Sequence, residues 1–209
     1  MMKYPATIVR FIFLGLFIYI IMSGKMMLWL GIFALSLIIG IFSARVYCGY
    51  VCPMNTLMLL TEWLSKKTKL QSSNVPKWLE SGKIAWVLLI VSVGTMIISK
   101  KVVSIDLPIL VIFLLLSILI TLRYKPYVFH NKICPFGVLQ GLTGRYARFS
   151  KKVNTEKCIG CKKCENVCPS QAIVVSKADK KACIDTHICH QCLNCQLVCP
   201  KDAIHYGKI

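Results

Sequence analysis

Hydrophobic residues fall along this chain in four long runs, separated by polar and basic segments, before a cysteine-rich tail begins. Residues 7–24 are apolar apart from Arg10 and Ser23, and Arg10 lies near enough to the end to snorkel toward headgroups. Ser23, Gly24 and Lys25 break that run, and residues 26–44 continue without a charge. Residues 84–99 and 107–122 form two further, shorter runs. A straight membrane span needs about 20 residues, with about 17 as the usual minimum. The last two runs must therefore borrow neighbours such as residues 102–105, or thin the bilayer locally. Buried core helices are the alternative, but the chain has too little polar sequence to cover four of them. The pattern predicts an α-helical membrane core of four transmembrane helices. The first run reads as a retained span rather than a cleaved signal, because its apolar stretch is long and no small-residue cleavage site is convincing.

Composition sharpens this picture. The chain has 209 residues, of which 56% are hydrophobic and 16% charged, against about 25% charged in a soluble domain. Its mean hydropathy is +0.63. A disordered chain is excluded and an ordinary cytosolic globule disfavoured. Lys and Arg total 26 against 8 acidic residues, a formal charge of +18. Two of the basic residues precede or sit in the first run, six lie between the second and third, and fifteen follow the fourth. Only Lys25, Lys100 and Lys101 fall on the opposite face. The positive-inside rule then places both termini and the middle loop in the cytoplasm, in a multi-pass protein of a prokaryotic inner membrane. The basic residues flank the spans and no nucleic-acid motif is present, so membrane lipids rather than nucleic acid explain the charge.

The twelve cysteines lie in two settings. From Cys158 the tail reads CIGCKKCENVCPSQAIVV, and from Cys189 it reads CHQCLNCQLVCPKDAIHY, an internal repeat with Cys189 in the place of Cys158. Each copy is C-x2-C-x2-C-x3-C-P. Structural zinc prefers two separated cysteine pairs, whereas a third cysteine at x2 and a fourth before proline suit an iron–sulfur cube. Cys183 fits no ligand position and reads as a packing thiol on a strand. His187, His190 and His205 read as surface residues, with His190 placed between two ligands.

The tail, residues 151–209, resembles the bacterial two-cluster ferredoxin domain. That resemblance implies a small α+β fold with pseudo-twofold symmetry, in which the fourth cysteine of each run serves the other cluster. It implies Cys158, Cys161, Cys164 and Cys199 for one [4Fe–4S] cluster, and Cys189, Cys192, Cys195 and Cys168 for the second. Val153, Ile184, Ala172-Ile173 and Ala203-Ile204 align as strand residues. Residues 164–168 and 195–199 align as short helical turns. The division is then residues 1–150 as a four-span membrane domain and 151–209 as a cytoplasmic ferredoxin domain. The tail carries ten Lys and five acidic residues, a balance that suits an anionic membrane face or an acidic partner.

The remaining chemistry flanks the spans. Residues 45–53 read RVYCGYVCP, a C-x3-C-P site at Cys48 and Cys52, and residues 130–137 read HNKICPFG, an H-x3-C-P site at His130 and Cys134. Each proline disfavours helix at the cysteine before it and suits the first position of a helix after it. Cys52 and Cys134 would thus be N-cap residues, where the helix end favours thiolate. Met54, Leu57, Met58, Thr61 and Leu64 continue the first helix to Lys66-Lys67. Val138, Leu142, Tyr146 and Phe149 continue the second to near Arg148, with Gly137, Gly141 and Gly144 leaving one side bare. Cys48, Cys52, Cys134 and His130 offer a set for a further metal or cluster; the alternative reading is a surface His130 with three packing or redox-inert cysteines.

CGYVCP and ICPFG on a four-span core, followed by the doubled cysteine run, resemble the NapH/NosR group of membrane ferredoxin proteins over nearly the whole chain. The resemblance implies electron transfer on the cytoplasmic face, coupled to a quinone pool or to subunits of a membrane or periplasmic oxidoreductase. His130 departs from it, standing where that group has a cysteine, and a disulfide there is excluded. The leading reading is an electron-transfer subunit rather than a stand-alone catalyst. A membrane cupric reductase or metalloenzyme assembly factor is the rival enzyme reading, and a structural membrane anchor is the third. The four histidines all follow the fourth run, so paired haem ligands on two spans are excluded, and no dinucleotide or P-loop glycine motif appears.

Overall fold

The computed structural model describes residues 4–72, 74–99, 101 and 108–209. Lys3, Lys100, residues 102–105 and most of the 100–106 loop, all used in the sequence reading, lie outside the described residues. The apolar runs become helices: α1 Tyr4–Met22, α2 Met26–Ser43, α5 Lys83–Ile98 and α6 Ile109–Arg123. At 1.5 Å per residue, α2 with its 18 residues is about 27 Å long. Among the described residues α2 is the one helix long and apolar enough to cross a membrane by these criteria; the apolar parts of α1, α5 and α6 are shorter.

Each C-P site forms the same local structure. Tyr47–Val51 is a π-turn closed by the Cys52 N–H donating to Tyr47 O at 2.9 Å. Phe129–Ile133 is a second, closed by the Cys134 N–H donating to Phe129 O at 2.7 Å. Pro53 then opens α3, Pro53–Lys67, and Pro135 opens α8, Pro135–Gly144. The α8 helix stops at Gly144, short of the expected end near Arg148. Three glycines weaken it, and Phe149, expected as helical, instead begins β1, Phe149–Val153. Between the turns lie the short helices α4, Lys77–Glu80, and α7, Pro126–Val128.

The chain divides into two packing units. One comprises residues 53–138, the other residues 1–52 with 139–209. These units follow contacts rather than motifs, so the N-terminal hairpin belongs with the tail. In the 53–138 unit, α3 packs along α6, where Ser65 Oγ donates to Leu122 O at 2.6 Å. In the other unit α1 and α2 form a hairpin held by Phe17 against Trp29, edge to face at 4.9 Å. Trp29 Nε1 donates to Tyr47 Oη at 3.0 Å, fixing the first π-turn. Arg10 does not snorkel. It is 4% exposed, and its Nε donates to Gly49 O at 2.8 Å.

The tail is an α+β fold of two small antiparallel sheets. β1 pairs with β4, Ile204–Lys208, and β2, Ile173–Val175, pairs with β3, Ala182–Ile184. Val153 faces Ile204 in one sheet and Ile184 faces Ile173 in the other. The repeat register that carries Cys158 onto Cys189 exchanges these two pairs, which is the pseudo-twofold expected of the repeat. Helices α9, Lys163–Asn166, and α10, Asn194–Leu197, each carry the third cysteine of a run into the core, where Cys164, Cys195, Ile173, Val175 and Ile204 pack together.

Candidate functional site

The repeat sets up two thiol groups. Cys158, Cys161 and Cys164 line one recess, and the cysteine that joins them is Cys199 from the second run. The recess is walled by Val153, Ile159, Val175 and Ile204. In the second group, burial pushes the Cys189 and Cys195 thiols up to about 12, and the neighbouring sulfurs of Cys192 and Cys168 add to the effect. Burial likewise raises Cys192, with Cys168 beside it. The fourth cysteine of each run has thus crossed to the other run's thiols. Pro169 and Pro200 end each run, and the chain leaves through Gln171 and Asp202, both at positive φ and at matching places in the repeat.

The surroundings suit anionic sulfur. The Ala172 N–H donates to Cys168 Sγ and the Ala203 N–H to Cys199 Sγ, each at 3.3 Å. The Ala182 N–H donates to Cys158 Sγ at 3.4 Å. Such bonds stabilise a thiolate over a thiol. Left without iron, the buried thiols stay protonated, so binding must release protons. Among the described residues no three His, Cys, Asp or Glu side chains converge on a point that one ion would fill. Four cysteines around a recess, with amide N–H groups aimed at their sulfurs, are a donor set that fits a [4Fe–4S] cube.

The histidine and cysteine expectations need two corrections. His190 is 1% exposed, not at the surface, because the first π-turn packs onto it: a Cβ on Gly49 would overlap His190 O. Cys183 does lie on a strand, but it is exposed rather than packed, since its side of β3 faces outward. His187 is half-buried, its Nδ1 donating to Gly141 O, and His205 is exposed. The bare side of α8 is filled by the His187 ring at Gly141 and by the Arg45 side chain at Gly144.

Gln191 braces the loop of the second thiol group, and the cysteine spacing gives no hint of it. It occupies the place of Gly160 in the first run, and both have positive φ. Its Oε1 accepts the Lys151 N–H at 3.1 Å and its Nε2 donates to Ser150 Oγ at 2.6 Å, tying the second loop to β1. Tyr50 Oη donates to Gln191 O at 3.3 Å. Burial raises the Tyr50 phenol above its ordinary value, and the nearby Cys192 adds to this. The signal available in sequence was the break in repeat symmetry, Gly160 against Gln191.

In the two turns before Pro53 and Pro135, Cys48 and His130 occupy the same position, and both are buried, as are Cys52 and Cys134. Burial raises the Cys48 thiol, opposed by the charge and hydrogen bond of Arg45. Cys48 and Cys52 belong to one packing unit, His130 and Cys134 to the other.

Comparison with known proteins follows these features. A "4Fe-4S dicluster domain" model matches residues 157–203, and another model of that description matches 131–173. A "4Fe-4S binding domain" model matches residues 26–71, across the first π-turn. The chain is 31% identical to an uncharacterized protein of Methanocaldococcus jannaschii, over 73% of this chain and 68% of that one. It is 27% identical to the ferredoxin-type protein NapH of Haemophilus influenzae, over 70% of this chain and 55% of the relative.

The chain belongs to the NapH-like ferredoxin-type proteins. These proteins include the methylamine utilization ferredoxin-type protein MauN of Paracoccus denitrificans, 28% identical over 67% of this chain and 55% of MauN. The matched domain models are of the 4Fe–4S type, and NapH and MauN are both described as ferredoxin-type proteins. The chain spans 61%, 55% and 44% of the length of three curated relatives, less than two thirds of each. No solved structure matches it.

Proposed function

We propose that this chain is a membrane-anchored electron-transfer subunit holding two [4Fe–4S] clusters. Cys158, Cys161, Cys164 and Cys199 ligate the first, and Cys189, Cys192, Cys195 and Cys168 the second. The observation that carries the reading is the crossing of Cys168 and Cys199 between the runs, which ties both repeats into one folded unit. When bound, such clusters supply one-electron carriers whose potential follows charge, sulfur hydrogen bonds and exposure. The chain's own part is to exclude water around Cys189, Cys192 and Cys195, and to hold the Ala172, Ala182 and Ala203 N–H groups on sulfur. Its exposed face at Cys161 offers a soluble donor or acceptor close approach.

Four spans with cytoplasmic termini complete the proposal, with residues 1–150 in the membrane and 151–209 as the ferredoxin domain. Support comes from large apolar side chains standing open on α1, α2, α5 and α6, among them Phe11, Ile38, Ile90 and Leu119. A soluble monomer rarely leaves so much apolar surface uncovered. Exposed Trp63 and Trp78 suit the headgroup level. Arg10 near the start of α1 meets Gly49 past the end of α2, and Gly49 meets the tail at His190, so one end of this hairpin carries the redox domain. Electrons then pass between a cytoplasmic or quinone-linked donor and a partner oxidoreductase.

Protein purified anaerobically in detergent should hold about eight iron and eight sulfide per chain, with two centres in an EPR redox titration. Zinc without iron would sink the reading. A reporter fused after Ile209 should be active only in the cytoplasm, and one in the 100–106 loop only outside it; the reverse pattern overturns the topology.

A further inference from the structure

The two sites differ in ways the repeat does not require. In the first group Cys161 is exposed and Cys158 and Cys199 are half-buried; in the second Cys189, Cys192 and Cys195 are all buried. The repeat also predicts a second N–H···S bond. Its register maps the Ala182 N–H and Cys158 onto the Lys151 N–H and Cys189, but Lys151 gives its N–H to Gln191 Oε1 instead. Burial and the diverted donor both disfavour the more negative, reduced state of a cluster at the second site.

Two cations stand against that. Arg10, 4% exposed, reaches from α1 to Gly49 O at 2.8 Å and lies over the Tyr50 ring at 5.8 Å. Gly49 and Tyr50 in turn touch His190 O and Gln191 O, inside the Cys189–Cys192 loop. Lys151 is also 4% exposed, and its Nζ donates at 2.6 Å to Oε1 of Gln196, the residue after Cys195. Among the described residues the one ion pair is Lys66 with Glu62, so neither cation meets a carboxylate. A buried charge without a counter-charge is costly, and the second thiol group, deprotonated when it ligates iron, would supply negative charge that both cations feel at Cys192. The charges of Arg10 and Lys151 both act on Cys192.

We propose that Arg10 and Lys151 are the electrostatic counter-charges of the second cluster, raising its reduction potential while leaving the first cluster's unchanged. This rests on the two-cluster reading, and it makes the N-terminal helix a determinant of redox poise rather than a passive anchor. Both residues act through space and are positioning residues.

The test is an EPR-monitored redox titration of the full chain in detergent, with Cys161→Ser marking which signal belongs to the first site. In Arg10→Gln and in Lys151→Gln the second signal should become harder to reduce. At a poise that half-reduces it in the unaltered protein, its reduced-to-oxidised ratio should fall about tenfold, which is about 59 mV for one electron. The first signal should stay in place, and Arg10→Lys should retain most of the unaltered value although it loses the bond to Gly49 O. A purely structural Arg10 would make Lys and Gln equally damaging. No shift in either glutamine variant, or an equal shift of both signals, overturns the proposal. Should Arg10→Gln lose its iron, Lys151→Gln decides alone. Fewer than two reducible centres in the unaltered protein would instead bring down the two-cluster reading, and this inference with it.

Discussion

Gly49 meets the carbonyl group of His190 backbone against backbone. A Cβ at position 49 would overlap the oxygen and fall 3.2 Å from the carbon. The φ of Gly49 is not positive, so the need for glycine here is one of space alone. Through this contact the first π-turn rests on the loop between Cys189 and Cys192. Gly49→Ala should therefore act at a distance from the cysteines. Overpacking of this kind costs about 1–3 kcal/mol, and the displaced loop should hold its cluster poorly. We expect a lower melting temperature and loss of about half the iron, with the first EPR signal kept. An alanine variant with full iron and an unchanged melting temperature would show that the contact yields freely.

Gln191 gives a second prediction. A non-glycine residue in the left-handed region costs about 1–2 kcal/mol, and the structure accepts this for the two hydrogen bonds that the side chain makes to Lys151 N–H and Ser150 Oγ. Gln191→Ala loses the bonds and keeps the backbone cost. Gln191→Gly loses the bonds but relieves the backbone, as Gly160 does in the first run. Alanine should then be less stable than glycine by about 1 kcal/mol, read as a lower denaturant midpoint with the same slope. Equal midpoints would mean that the backbone at 191 carries no such cost.

These two positions also mark where the sequence was legible and where it was not. The spacing of Cys158 to Cys168 and Cys189 to Cys199 was readable because thiolate chemistry demands a local pattern, and the strands at Val153, Ile173, Ile184 and Ile204 followed from the repeat. The helices from Pro53 and Pro135 were readable because proline fixes where each begins. Burial of Arg10 and His190 was not. Arg10 is buried by a contact with Gly49 and His190 by one with the same turn, each between segments far apart along the chain, and no periodicity encodes such contacts. A charge near the end of a hydrophobic run looks like a snorkelling residue until its acceptor, Gly49 O, is known.

The buried thiols make the iron-free protein sensitive to alkali. Unfolded cysteines titrate near the ordinary value of 9.0, whereas folded Cys189 and Cys195 hold their protons to about 12 because burial disfavours the thiolate. Between those values the folded state carries protons that the unfolded chain has shed. The contribution of these groups to stability is whole below pH 9 and is lost as pH rises toward 12. Denaturant stability of chelated, anaerobic protein should fall across this window, and Cys195→Ser, whose hydroxyl does not ionise there, should flatten the fall. With iron bound the sign reverses, since protons compete for the sulfurs and acid strips the clusters. An identical alkaline slope in Cys195→Ser would remove that thiol from the account.

The last prediction concerns the two π-turns. Cys52 and Cys134 each close a turn and stand immediately before the proline that opens a long helix, and Cys48 and His130 match in position within the turns. All four are buried, so a surface role for His130 is removed. Burial alone also suits a packing thiol, for which loss of one sulfur should lower stability modestly and do nothing else. Recurrence of the same turn, with the same cysteine ahead of proline, favours a redox or metal-donor role under the proposed electron-transfer function. On that reading Cys52→Ala and Cys134→Ala keep both tail clusters, by iron content and EPR, yet lose reduction linked to quinone or partner in membranes. His130→Cys should keep the flux, because a thiol and an imidazole both donate to metals, whereas His130→Ala should lose it. A Cys52→Ala, Cys134→Ala double variant with full clusters and normal flux would return all four residues to packing. Flux lost together with the tail iron would instead trace the defect to folding, which the melting temperature of the same variant would register independently.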